Sequence, residues 1–475
     1  MKTNLLKLLI LLFSTAAFSQ VGHIMQGVGA VNMSMGGAAT GQPLDISGAM
    51  QWNPASLSAF NGKILKFDIG AFSGSPELYS TYGPLSGSTE DDKGLSPMPA
   101  AGFVWSKEGS KSTFGISVFG VSGFGVDFQE DQNYPQDRFG NPNPDYNPNE
   151  PSNPINFPQI AGGFGNLASD YMLLQVGFTW AYAVSETFSI GVQPILNYGA
   201  LEIGPNPLAS PNQSGYPNSD RAGSIGFGGQ IGLFYDTQTG FKIGASYKTQ
   251  QYLAEMEFDS KYLDGTKTSD TKFTMNYPAV YSLGIGYSKG DVDLAVDYRY
   301  VDYENTEGFE AIGWTIAESG PMTGFPTGSV SGFGWESINV ISAGLQYKGI
   351  EKFPLRVGYT YSSNPINDRL AFFSTPATAI IKNAFQFGFS YQPNDNFSLD
   401  VVYHHGDSGG TTSGKMMNPT PAMDFNQDGY PDGPWHATQN PLGEIPDSEV
   451  SYDMTTDLIM VGFSYTFKKK EKQTN

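Results

Sequence analysis

In the stretch VDLAVDYRY, Val292, Leu294, Val296, Tyr298 and Tyr300 fall on one side of an extended chain, and Asp293, Ala295, Asp297 and Arg299 on the other. FKIGASYK repeats the pattern, with Phe241, Ile243, Ala245 and Tyr247 opposed to Lys242, Gly244, Ser246 and Lys248. DLIMVGFSYTF aligns Ile459, Val461, Phe463, Tyr465 and Phe467. This period of two runs along the chain and predicts strands with one apolar, aromatic face and one small, polar or charged face. A water-soluble sandwich turns the apolar face inward. A transmembrane barrel turns it to lipid and keeps a polar lumen.

The connections decide between the two. Strands are predicted near 63–73, 98–106, 112–121, 171–183, 187–201, 223–236, 240–250, 277–288, 291–302, 337–348, 354–363, 383–392, 396–405 and 456–467. Tight connections (SKEGSKS, SET, TQT, KGD, GIEKF, PNDN) alternate with long ones, among them 122–170, 303–336 and 406–455. Short turns at one end and long loops at the other mark an outer-membrane barrel, and an even strand number leaves both chain ends on the periplasmic side. Hydrocarbon offers the backbone no hydrogen-bond partner, so the sheet must close on itself.

Composition removes other classes. No stretch after the first twenty residues has the roughly eighteen consecutive apolar residues of a helical span. The formal charge of −20 disfavours nucleic acid, which wants a basic surface. With no cysteine, disulfides, thiolate metal sites and a cysteine-borne lipid anchor are all excluded. Residues 1–19 carry Lys2 and Lys7, an apolar run and Ala17-Phe18-Ser19, which together predict a secretory signal peptide and a mature start at Gln20. The expected organisation is 1–19 leader, 20–62 a non-strand unit, 63–467 barrel and 468–475 a basic, solvated tail.

That non-strand unit contains the ordered set Gly27 and Gly29, Gly36-Gly37-Ala38, Asp45 and Asn53-Pro54-Ala55, ahead of all fourteen strands. It resembles the amino-terminal hatch of the FadL/TodX-type outer-membrane transporters of long-chain fatty acids and other hydrophobic compounds. The hairpins GFGGQIGLFYDTQTGFKIGASYKTQ and YPAVYSLGIGYSKGDVDLAVDYRYVDY, and the late strands PLRVGYTYSSNPIND and AFQFGFSYQPNDNFSLDVVYHHG, are similar to that family as well. The resemblance covers nearly all the chain after the leader and departs mainly at 131–160 and 406–455. It implies an all-β fold, a fourteen-stranded antiparallel transmembrane β-barrel with a small hatch plugging the lumen, in the outer membrane. It further implies passive uptake of hydrophobic small molecules, long-chain fatty acids foremost, with exit into the membrane lipid beside a kinked strand. The rival expectation is a non-transporting surface protein whose long loops bind a partner. A monomer is expected, with no cofactor required.

Within the hatch, Asn53-Pro54 is expected to form a turn, proline fixing φ and asparagine capping local amides. Alternation points Lys242, Lys248, Arg299, Lys348 and Arg356 into the lumen, where each could hold a carboxylate or simply an ion pair, for instance Arg299 with Asp293 or Asp297. In the strand STFGISVFGVSGFGVDF the alternation fails after Phe119, and Gly120 and Gly123 predict a kink, against the simpler outcome of a strand fraying into its loop. Asp424, Asn426, Asp428 and Asp432 have the spacing of a calcium loop, although Trp435 stands where an EF-hand has glutamate, so a structural calcium competes with an Asx-rich turn. Catalysis is not expected. Of the four histidines, His23, His404, His405 and His436, only His404 falls near Asp400 on the lumen side, and no nucleophile motif accompanies it.

Overall fold

Leu65, Phe67 and Ile69 of the first long strand are exposed at 37, 40 and 44 %, while Lys66 and Asp68 between them are exposed at 1 and 0 %. This inverts a soluble protein, and it repeats round the sheet: Leu294, Val296 and Tyr298 face out, whereas Asp293, Asp297 and Arg299 are buried. The computed structural model describes residues 22–268, 271–418 and 442–467. The leader, the mature start, the basic tail and the calcium-like positions Asp424, Asn426, Asp428 and Asp432 lie outside the described residues.

Fourteen long strands form the wall, numbered here in chain order: β1 Lys63–Tyr82, β2 Leu95–Ser106, β3 Ser112–Phe128, β4 Leu167–Ala183, β5 Phe188–Gly204, β6 Ala222–Asp236 and β7 Phe241–Lys248. The second half is β8 Ala279–Lys289, β9 Val292–Asp302, β10 Ile338–Tyr347, β11 Leu355–Ser362, β12 Asn383–Asn394, β13 Phe397–Asp407 and β14 Ser448–Phe467. All neighbours pair antiparallel, and β1 closes the barrel on β14 in unbroken register from Lys63↔Phe467 to Tyr82↔Ser448. Every strand expected from the sequence is present. Several run further than expected, β1 and β14 most of all, because they continue as a paired ribbon on the long-loop side, where the apolar alternation that marks a lipid-facing strand lapses.

Two aromatic belts mark the interfaces. Phe103, Trp105 and Phe114 stack near the short-turn end, with Trp105 and Phe114 centroids 5.7 Å apart. Tyr247, Tyr281 and Tyr300 adjoin one another toward the long-loop end. Rings with one polar edge suit the level where hydrocarbon meets headgroups.

Residues 22–60 lie inside the barrel and carry α1 (Ala30–Ser34), α2 (Ile46–Trp52) and a 3-10 turn (Pro54–Ala59). This segment touches all fourteen strands. A second segment enters from the opposite end. Between β11 and β12, residues 370–381 are buried throughout, a feature that the sequence reading missed because the run is too short for a strand or a span.

Candidate functional site

The hatch is held by charge and by bare backbone. Asp45 caps α2, accepting from Gly48 N at 3.0 Å, and meets Lys66 of β1 at 3.2 Å. Lys66 also pairs with Asp400 of β13 at 2.9 Å and with Asp68 at 3.7 Å, while Asp68 accepts from Ala30 N at the start of α1 at 2.8 Å. On the far wall Asp297 accepts from Ala39 N and Thr40 N, both at 2.8 Å. Gly36 and Gly37 have φ of +68° and +76°, a region L side chains avoid, and their carbonyls accept from Thr360 Oγ1 and Arg299 Nη2. Asn53 Oδ1 accepts from Ala55 N at 3.1 Å with Pro54 opening the 3-10 turn, and its Nδ2 reaches Leu233 O of β6 at 3.0 Å. Of the anchors, Lys66 and Asp68 were not singled out from the sequence, Asp297 was expected only as a partner of Arg299, and Asp400 was noted only beside His404. Their signal was an ionisable residue at an inward position of a strand.

The five inward cations do not converge on one site. Arg299 is committed to the hatch, paired with Asp297 at 2.9 Å and lying 3.7 Å from the Trp52 ring centroid. Lys348 pairs with Asp293 at 2.9 Å, and Lys242 donates to Gln42 Oε1 of the hatch at 2.9 Å. Arg356 donates to Gln346 Oε1 and Ser390 Oγ, at 2.7 and 2.8 Å. Lys248 differs. Buried at 2 % exposure over the Trp52 and Tyr277 rings, it makes a single hydrogen bond among the described residues, to Gln175 Oε1 at 3.3 Å, and like Lys242 and Arg356 it is in no ion pair there. Ser390 and Ser398 face inward, both donating to Asp400, and His404 is buried on the lumen side, with Nδ1 3.0 Å from Gln386.

The wall itself is interrupted at β3. β2 and β3 pair from Ser106↔Thr113 to Ala100↔Phe119 and no further, although β3 continues to Phe128. At that height the register of β3 against β4 slips between Gly120 and Ser122, leaving Val121 as the extra residue of a bulge. The hatch takes the vacated edge. Ile24 bridges Ser122, Met25 N donates to Val121 O at 2.9 Å, and Gly123 N donates to His23 O at 3.1 Å. Higher up, Asp127 N donates to Asp91 Oδ1 at 2.6 Å and rejoins the two edges. Between these closures is a cavity of 20 Å³ bounded by Lys93, Ser96, Phe124, Gly125, Thr378 and Ala379. Lys93 lies across Gly125 and donates to Ser169 O of β4 at 2.8 Å.

Behind the interruption lies an aromatic chamber. The His23 ring is 4.9 Å from Phe309, 5.8 Å from Trp335 and 5.9 Å from Tyr171, centroid to centroid, and its Nδ1 is 2.8 Å from the Tyr303 hydroxyl. Burial without a counter-charge pushes this imidazole down to about 3, so it is neutral at physiological pH. From outside, a cleft of 650 Å³ lined by Tyr82, Leu85, Phe157 and Met416 among others leads inward. It shares Phe164, Tyr216 and Phe372 with a deeper apolar pocket that adds Trp314, Phe373 and Val330.

A family model described as outer membrane protein transport protein (OMPP1/FadL/TodX) matches residues 157–429. Among solved structures, the Pseudomonas putida toluene transporter TodX aligns with a TM-score of 0.63 at 15 % identity, covering 94 % of this chain and 100 % of TodX. A Pseudomonas aeruginosa FadL homologue gives 0.64 at 12 % identity, covering 94 % and 100 %. The Ralstonia pickettii toluene transporter TbuX gives 0.59 at 15 %, covering 93 % and 99 %. No curated protein matches.

Proposed function

Because the chain belongs to the outer membrane transport proteins of the OMPP1/FadL/TodX family, we propose that it admits hydrophobic molecules passively and releases them sideways through the interruption between β2 and β3. The carrying observation is the ladder that stops at Ala100↔Phe119 while β3 runs on. Below that level the hatch meets every strand, and the surrounding wall is polar. A water-averse molecule therefore gains by leaving into hydrocarbon and not through the plugged lumen.

The outer cleft is the capture site, and its apolar rings continue into the deeper pocket. Long-chain fatty acids lead the substrate classes in this reading. Lys248 is then the cation for a carboxylate, since its single polar contact among the described residues is the 3.3 Å bond to Gln175, while each of the other four makes at least two. Toluene-like hydrocarbons, the cargo of the toluene transporters TodX and TbuX, need no such cation. No chemical step is part of this function.

Uptake of labelled oleate and labelled toluene by cells with and without the protein separates the two classes. Lys248→Met should depress oleate uptake and spare toluene. A disulfide engineered across the β2–β3 edges near Gly120 should block uptake of both while heat stability is kept, and the native chain has no cysteine to confuse the result. Undiminished uptake by a verified, oxidised crosslink would show that substrate leaves elsewhere.

A further inference from the structure

The loop between β11 and β12 turns into the barrel instead of standing on its rim. From Ala371 to Ile381 it reads AFFSTPATAII, without a charged residue, between Asp368-Arg369 on one side and Lys382 on the other. Leu370, Ala371, Ala377 and Ile380 are exposed at 1 % or less. An uncharged, apolar loop is a poor surface element but a good occupant for an apolar passage.

Its position lies on the route from cleft to window. Phe372 lines both the outer cleft and the deeper pocket, Phe373 and Pro376 line the deeper pocket, and Thr378 and Ala379 back the cavity at the β2–β3 interruption. One short segment thus spans the three spaces that a substrate would visit in turn.

Its bonding is that of a unit which can leave. The turns are closed within the loop, by Ser374 N to Leu370 O, Ala377 N to Ser374 O and Ile380 N to Thr378 O. Among the described residues it exchanges no backbone–backbone hydrogen bond with a strand. Neighbouring side chains hold it, two from the wall and Trp335 from the β9–β10 loop: Tyr452 OH to Ala371 O at 3.0 Å, Trp335 Nε1 to Ser374 Oγ at 3.1 Å, and Ser169 Oγ to Pro376 O. The neck is fixed, with Ser362 N donating to Lys382 O and Lys382 N to Asp407 O.

We propose that residues 370–381 are a tethered stopper, an apolar stand-in for substrate that an arriving hydrophobic molecule must displace to reach the window. The proposal rests on the transport reading above and adds a gate on the outer side of the hatch. Displacement exchanges one apolar occupant for another, so the walls stay dry and the passage opens only to a molecule that can replace the loop's contacts.

The test uses the full-length protein in cells. Ala377→Cys gives a single thiol, and its reaction with a small hydrophilic maleimide is timed with and without oleate or toluene while uptake is followed in parallel. Labelling should be slow at rest and several-fold faster with whichever probe is taken up. A cysteine at Ala295, buried on β9, should show no such change. Replacing 370–381 by a short Gly/Ser link should raise the initial uptake rate and leave the barrel heat-resistant. Uptake with unchanged labelling, or an uptake rate that the link does not alter, overturns the stopper and leaves transport standing. If neither probe enters wild-type cells, the transport reading falls, and the stopper with it.

Discussion

Gly244 on β7 and Gly229 on β6 look alike in sequence and differ completely in surroundings. A methyl group on Gly244 would overlap the Thr40 carbonyl oxygen of the hatch, whereas one on Gly229 would find its nearest neighbour at 3.5 Å. Gly244→Ala should therefore unseat the Thr40–Gly41 stretch and raise single-channel conductance in a planar bilayer, while Gly229→Ala leaves it unchanged. Equal conductance for the pair would mean that the hatch does not rest on bare wall. His23 supplies a pH test. Seated, its imidazole stays neutral down to about 3; displaced into water it takes a proton below its ordinary 6.5. Seating is thus fully favourable above that ordinary value and weakens as pH falls toward 3, by about 2 kcal/mol between pH 7 and pH 5 for one proton. The groups facing it are the Tyr303 hydroxyl and the Tyr171 and Tyr277 rings, none charged in that range. Protease sensitivity of the N-terminal segment should rise from pH 7 to pH 5 in wild type and not in His23→Gln. Within the hatch, Asn53 was legible because turns need its chemistry, and the Gly36-Gly37 pair through the resemblance to the family's hatch. Gly244 and His23 were not, since each depends on what the fold brings opposite it.

At the scale of elements, the hatch and the barrel have separate reasons to be stable. The strand ladders close from β1 to β14 without any residue of 22–60, and the hatch adds lumenal contacts and one backbone bridge, at the vacated edge of β3. Deleting Gln20 to Phe60 should leave a barrel that still shows heat-modifiable migration on gels, with higher conductance and with uptake no longer saturable. A truncated protein that conducts as the intact one does would remove the plug from the account. β3 shows how much of an element can be read in advance. Glycines and the lapse after Phe119 pointed to the place of the bulge, because glycine weakens a ladder wherever it sits. That β2 stops pairing there, and that Ile24 bridges Ser122 in its stead, needed the distant N-terminal segment to be placed. The inward loop 370–381 was missed for a related reason. Its run of small and apolar residues has no period to read, and only its surroundings tell a lumenal occupant from a core segment.

For the whole molecule, the bilayer is the solvent that makes the inversion of faces stable. Val296, near the middle of β9 and 44 % exposed, should face hydrocarbon. Val296→Arg should then cost about 2–4 kcal/mol of folding into lipid vesicles, the depth-dependent penalty for a cation on the lipid face. An arginine at an inward position, Lys242→Arg beside Gln42 of the hatch, should cost far less, and equal costs would contradict the assignment of faces. Sequence alone determined the barrel, its fourteen strands and their two faces, because a period of two and the alternation of short and long connections are local properties that hydrocarbon enforces strand by strand; the family was legible through the resemblance of the hatch motifs and late hairpins. Tertiary structure decided which lumenal charges are spent on the hatch, that Lys248 is left with a single polar contact among the described residues, where the β2–β3 ladder stops and which segments lie against that interruption. Those are pairings between residues as far apart as Lys66 and Asp400, or His23 and Tyr303, whose partners are set only once the sheet has closed.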